Sequence, residues 1–218
     1  MESNRPLESS FAAARAPNRD EAGVEFNRIV AFSDGVFAIS ITLVVLGLFV
    51  PEDVQDLTEQ LLDQDADLFA YAISFAVIGR FWLAHHRFFS GLERFDNSLM
   101  SLNLVYLAFV GLMPFTSQVL GDYSDQTAAV VLYALNVICV NLSFQAEIVY
   151  SYRHDLVRPD ARRVEQRYTG PANFIITGVF VASIPVAFAS TIVAVLMWTA
   201  IFVVGRRLAQ RATRTTTQ

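Results

Sequence analysis

The apolar run RIVAFSDGVFAISITLVVLGLFV, residues 28–50, carries Arg28, Ser33 and Asp34 near its head. A second apolar run holds Trp82, His85 and His86 in FWLAHH, and a third holds Asn103 in NLVYLAF. Such side chains can pair charge and hydrogen-bond inside an apolar layer, where an isolated ion costs several kcal/mol. Histidine can also pass protons near neutral pH. Metal or haem chemistry fits poorly. His85 and His86 are adjacent, so their side chains diverge by about 100° on a helix, and the third histidine, His154, stands in a basic connection. The sequence has no G-x-S-x-G, H-E-x-x-H or phosphate-binding loop. Neither catalysis nor a cofactor is expected.

The elements that must position these groups follow from composition. The chain has 218 residues, 54% of them hydrophobic, with a mean hydropathy of +0.41. Apolar blocks of span length recur at about 27–50, 68–89, 98–119, 126–150, 171–188 and 190–207. The fold class is therefore all-α: a polytopic membrane protein with six transmembrane helices. Asn136, Asn141, Gln145 and Glu147 interrupt the fourth block; Pro114 and Pro185 fall inside spans, where membrane helices tolerate proline. Residues 1–25 lack an apolar core and are expected to form a disordered cytoplasmic tail rather than a signal peptide. Residues 26–208 form the six-helix domain, and 209–218 a cytoplasmic C-tail. Cys139 is the only cysteine, so intrachain disulfides and multi-cysteine metal sites are excluded. A net charge of −5 gives no sign of nucleic-acid binding.

Loop charge sets the orientation. The first connection, PEDVQDLTEQLLDQDAD, is acidic without a base; the third, GDYSD, also lacks one. The second carries Arg87 and Arg94, the fourth Arg153, Arg158, Arg162, Arg163 and Arg167, and the C-tail Arg206, Arg207, Arg211 and Arg214. Basic and non-basic connections alternate, as six spans with both termini in the cytoplasm require. That topology brings Asp34, the Trp82–His86 stretch and Asn103 to one depth near the cytoplasmic side. A hydrogen-bonded knot follows: Asp34 accepts from Ser33, a histidine, Asn103 or the Trp82 N–H, with Arg28 nearer the interface. It would fix the first helix against the second and third.

At 100° per residue, Phe32, Gly35, Ile39, Thr42, Leu43 and Leu46 fall on one stripe of the first helix, and Asp34, Phe37, Ile41 and Val45 on the other side. Spacing alone is equally met by a lipid face or a bundle seam.

These residues carry a resemblance. RIVAFSDGVFAI resembles the Arg-x-x-x-Phe-Ser-Asp signature of the transmembrane protein 175 family, the lysosomal and prokaryotic potassium channels. FWLAHH resembles the Trp-x-x-His element of its second helix, and NLVYLAFVGLMPF, with Asn103, Pro114 and Phe115, its third. The resemblance implies a homotetramer in the plasma membrane of a prokaryote, with six helices per subunit and potassium or another monovalent cation as the permeant ion. It places the first helix of each subunit around the pore, the apolar constriction at Ile39, and the next pore-facing positions at Thr42, Leu43 and Leu46. Arg28, Phe32, Ser33 and Asp34 become support behind the pore wall. Family members often carry an acid near Gly47, so attraction of cations here must pass to the acidic first connection. No TVGYG-like filter occurs. Selection then falls to the apolar ring, which an ion crosses partly dehydrated and which can gate by dewetting. The rival reading is a proton-coupled or proton-conducting transporter using Asp34, His85 and His86; the absence of an inverted repeat counts against it.

Overall fold

The computed structural model describes residues 19–48, 58, 64–161 and 171–199. Helix α1 (Arg19–Leu43) starts upstream of residue 26 and runs into a 3-10 turn, Val44–Gly47. Then follow α2 (Asp65–Ser90), α3 (Asn97–Gly111), α4 (Met113–Asp122), α5 (Thr127–Arg153) and α6 (Pro171–Ala187). A last helix, α7, covers 191–199. Among the described residues four stretches are long and apolar enough to cross a membrane: Val24–Gly47, Asp65–Ser90, Asn97–Asp122 and Thr127–Arg153. Residues 1–18 of the expected tail 1–25, the expected tail 209–218, most of the acidic first connection, Arg162, Arg163 and Arg167 of the fourth, and the sixth span beyond 199 lie outside the described residues.

Local chemistry sets the helix ends. Asp65 and Asp67 lie in the first turn of α2, where the helix dipole favours acids, and Arg87 in its last. Asp96 caps α3 by accepting from the Leu99 N–H at 2.8 Å. Its other oxygen accepts from the Tyr150 hydroxyl at 2.9 Å, tying the start of α3 to the end of α5. The third span is not one helix. Pro114 lacks an N–H and its ring crowds the preceding turn, so α3 ends at Gly111 and α4 begins with the proline in its first turn.

The bundle packs α2 on α4, α3 on α5, and α5 on α6, with α1 laid against α2 and α3. Gly121 at the end of α4 lets α2 approach, because a Cβ there would run into the Asp67 carboxylate. On the opposite side the two arginine-bearing connections clasp each other. Leu92 and Val157 form a β-bridge, the Glu93 N–H donates to Leu156 O at 2.8 Å and the Arg158 N–H to Gly91 O at 3.0 Å.

The polar groups of α5 find partners in other spans. Ser74 donates to the Tyr133 hydroxyl at 3.0 Å and the Asn136 amide to Thr116 at 3.2 Å. The Asn141 amide donates to Thr177 of α6. Glu147 differs: it is fully buried, and among the described residues neither carboxyl oxygen has a hydrogen-bond partner. A buried polar group without partners costs about 1–3 kcal/mol. Glu147→Met is therefore expected to stabilise the protein by about that amount. Thermal melting in detergent checks this, and a lower melting temperature would show that the carboxyl has a partner.

Candidate functional site

Helix α1 presents two faces. Ser33, Phe37, Ser40 and Val44 are buried against the rest of the chain. Phe32, Gly35, Ile39, Thr42, Leu43 and Leu46 point away from it. Ile39 is 61% exposed and Leu46 71%, whereas Phe37 is 2% exposed. Only 22% of the apolar stretch of this first span is buried, against 56% for α5. The face is thus almost wholly apolar and uncovered by the described residues. Its one hydroxyl, Thr42, donates to Ala38 O and Ile39 O, each at 2.9 Å. The proton is used inside the helix, and the oxygen keeps lone pairs for an outside donor or cation.

One position of the expected pattern is corrected. Val45 is expected on the inward side with Phe37. Val44, about 20° from Phe37 by the helical period, is buried, whereas Val45, about 80° round and turned further by the tightening to 3-10 after Leu43, is exposed.

The inward face is anchored by two separate hydrogen-bond systems. The Trp82 indole N–H donates to Asp34 Oδ1 at 2.9 Å. On the adjacent residue, Ser33 donates to Ile29 O at 3.0 Å and accepts from the Asn103 amide N–H at 3.0 Å. The serine proton is committed to Ile29, so Asn103 must turn its nitrogen to Ser33 and its oxygen to His85. His85 Nε2 lies 3.0 Å from that oxygen and must carry the proton. The His85 ring is held between aromatic rings, with Phe89 at 4.0 Å and Tyr106 at 5.5 Å, the latter within 7° of parallel. His85, Asn103 and Ser33 are all buried.

Asn103, not Asp34, is therefore the node that joins α1, α2 and α3. Asp34 is half-buried and takes only the tryptophan N–H among the expected donors. Arg28 is exposed on the outward side of α1 and stays apart from both systems. His86 is also exposed and leans on the Trp82 ring at 5.7 Å. Beside Asp34 a cavity of about 360 Å³ opens between α1 and α2, lined by Ala38, Ile41, Gly79 and Trp82 among others. Among the described residues no three His, Cys, Asp or Glu side chains are grouped to hold a metal ion.

Sequence reasoning overlooked two residues. Tyr106 is fully buried and completes the seat of His85; its spacing of three from Asn103 puts both on one helical face. Arg80 stands in mid-span on α2, beside a small cavity shared with Val137, Phe180 and Trp198. A lone arginine twelve residues into an apolar block is legible in VIGRFWL.

Comparison with known proteins gives a consistent picture. The family model described as "Endosomal/lysosomal potassium channel TMEM175" matches residues 28–114. A Streptomyces collinus protein named a potassium channel is 41% identical over 128 residues, which is 56% of this chain and 62% of that protein. The match thus spans less than two thirds of that relative. The mouse endosomal/lysosomal proton channel TMEM175 is 36% identical over 109 residues, 45% of this chain and 22% of that protein. The crystal structure of a lysosomal potassium-selective channel TMEM175 homolog from Chamaesiphon minutus superposes with a TM-score of 0.67 and 31% identity, over 86% of this chain and 98% of that one.

Proposed function

The chain belongs to the TMEM175 family, and on that premise we propose that it is a potassium-preferring cation channel, a homotetramer whose pore is lined by the outward face of α1. One observation carries this reading. Among the described residues the pore-helix candidate buries a polar-anchored face within its own subunit and leaves an apolar stripe with a single hydroxyl, Ile39, Thr42, Leu43 and Leu46, uncovered. Four copies facing one another would enclose an apolar constriction at Ile39 with Thr42 oxygens one turn beyond it. Potassium holds its water less tightly than sodium, so such a ring favours it, and the same ring can close by dewetting. Ser33, Asp34, Trp82, His85 and Asn103 act behind the wall, holding α1 in register, while Arg28 and Phe32 stand on its outward side and His86 leans on the Trp82 ring.

The names of the bacterial relative and of the Chamaesiphon structure support potassium as the ion. Residues 26–208 would supply the channel domain with six spans, and both termini would lie in the cytoplasm of a prokaryotic cell, at the plasma membrane. The alternation of arginine-bearing and arginine-free connections supports that orientation. No resident cofactor is needed, since the ion itself is the cargo.

The test is flux in proteoliposomes of purified protein, with membrane potential followed under a potassium gradient and then a sodium gradient, and mass measured in detergent. We expect a tetramer whose potassium-driven potential exceeds the sodium-driven one. A monomer without flux for either ion would sink the reading. The name of the mouse relative motivates a second reading, proton permeation through the same pore. A potential driven by a pH gradient alone would favour it.

A further inference from the structure

Asp34 brings a carboxylate into the apolar layer and leaves it short of partners. Its Oδ1 accepts from the Trp82 indole at 2.9 Å. Among the described residues its second oxygen has no hydrogen bond, and no cation pairs with either oxygen. A carboxylate in such a layer is costly unless it is paired or faces water.

The cavity between α1 and α2 starts at this carboxylate. Asp34, Ala38 and Ile41 line its α1 wall, and Ile78, Gly79 and Trp82 its α2 wall. Phe37 and Ile78 are buried beneath it, whereas Ala38 and Trp82 are exposed. Gly79 makes part of the room, since a Cβ there would only reach ordinary contact with Ile41 Cδ1, at 3.9 Å. The polar groups are gathered at one end, where Trp82 meets Asp34. From there to Ile41 the helix rises about 10 Å, along apolar side chains only. The volume of about 360 Å³ lies within the span of small-molecule sites, about 300–1,000 Å³.

An anion would be repelled by Asp34, and a plain hydrocarbon would leave it unpaired. A metal ion would find one carboxylate and an apolar wall, with no further His, Cys, Asp or Glu among the described residues to complete a shell. A positive group joined to an apolar body answers both ends of the cavity. The indole of Trp82 adds a face on which an organic cation can rest.

We propose that this cavity binds an amphipathic organic monocation, its charge on Asp34 beside Trp82 and its apolar body along Ala38, Ile41 and Gly79. The site lies within one subunit, on the side of α1 turned away from Ile39, and is separate from the ion path.

The test is binding to the purified full chain in nonionic detergent. The probe is N-butylpyridinium, a permanent cation with a short apolar tail that quenches indole fluorescence on contact. Of the two tryptophans Trp198 is fully buried, so quenching reports Trp82. We expect saturable quenching that butylbenzene, similar in shape but uncharged, does not displace. Asp34→Asn keeps an acceptor for the Trp82 N–H and removes the charge; Gly79→Leu keeps the charge and fills the cavity. Each is expected to weaken binding at least tenfold. Thermal melting scores folding, and either folded variant suffices to decide. Quenching that never saturates overturns the site, as it would if a neighbouring copy already filled the cavity. Saturable quenching that survives a folded variant, or that butylbenzene displaces, overturns it too. Flux is not the readout, so failure here leaves the channel reading untouched.

Discussion

Ile39→Asn is expected to leave the protein folded and tetrameric while its potassium-to-sodium permeability ratio falls toward one and its total flux rises. Ile39 is 61% exposed in its own chain, so the substitution removes nothing from the subunit core. Changes at such positions shift stability by no more than about 0.5 kcal/mol. In the proposed tetramer the effect is instead concentrated where four copies would meet. An ion passing an isoleucine ring gives up part of its hydration and receives nothing in return. Four asparagine amides would supply oxygens to the ion and let water through the ring. Each 1.4 kcal/mol or so removed from the barrier raises flux tenfold, so partial wetting suffices for a large change. The control is Phe37→Asn, two residues away on the opposite face. Phe37 is 2% exposed, so there the polar group meets the core and the loss is of protein, not of selectivity. Flux ratios in proteoliposomes, with mass in detergent, separate the two cases. An unchanged ratio in Ile39→Asn would remove Ile39 from the filter.

The face that bears Ile39 was legible in the sequence because the helical period alone sorts Phe32, Ile39, Leu43 and Leu46 from Phe37, and the structure leaves the first set outside and buries Phe37. Val45 was misplaced because it lies about 80° round from Phe37, at the margin of the inward face, and the change from 3.6 to 3.0 residues per turn, which leaves no mark on VVLG, carries it further out. Alternating loop charge brought Asp34, Trp82, His85 and Asn103 to a common depth. It could not say which side chain would be the hub. That depends on which way each side chain turns at a shared depth: Asp34 meets only the indole, while the short amide of Asn103 reaches both Ser33 and His85. The asparagines of α5 were unreadable for a related reason. Their partners, Thr116 and Thr177, are far off in sequence and unremarkable by type. Pro114 was visible, but its consequence was not, since a proline in a membrane helix can kink, be tolerated, or, as here, divide the span in two.

If Asn103 is the node, its loss must cost more than the loss of the charged residue that draws the eye. Asn103→Leu keeps the volume but removes both functions of the amide. The His85 N–H loses its acceptor in a pocket lined by Phe89 and Tyr106, and Ser33 loses its donor while keeping its bond to Ile29. The bonds themselves contribute modestly, since interhelical hydrogen bonds in membrane bundles average about 0.6 kcal/mol. Orphaning the buried N–H adds about 1–3 kcal/mol. Together the expected destabilisation is about 2–4 kcal/mol. Asp34→Ala forfeits one bond at a half-buried carboxylate and should cost about 1 kcal/mol or less. Thermal melting in detergent orders the two variants. A cycle with Ser33→Ala reads the coupling, because the double variant must lose less than the sum if Asn103 and Ser33 act through each other. An Asn103→Leu tetramer that melts with the parent, or later than Asp34→Ala, would return the hub to Asp34 and leave the buried chain to His85 without an energetic role.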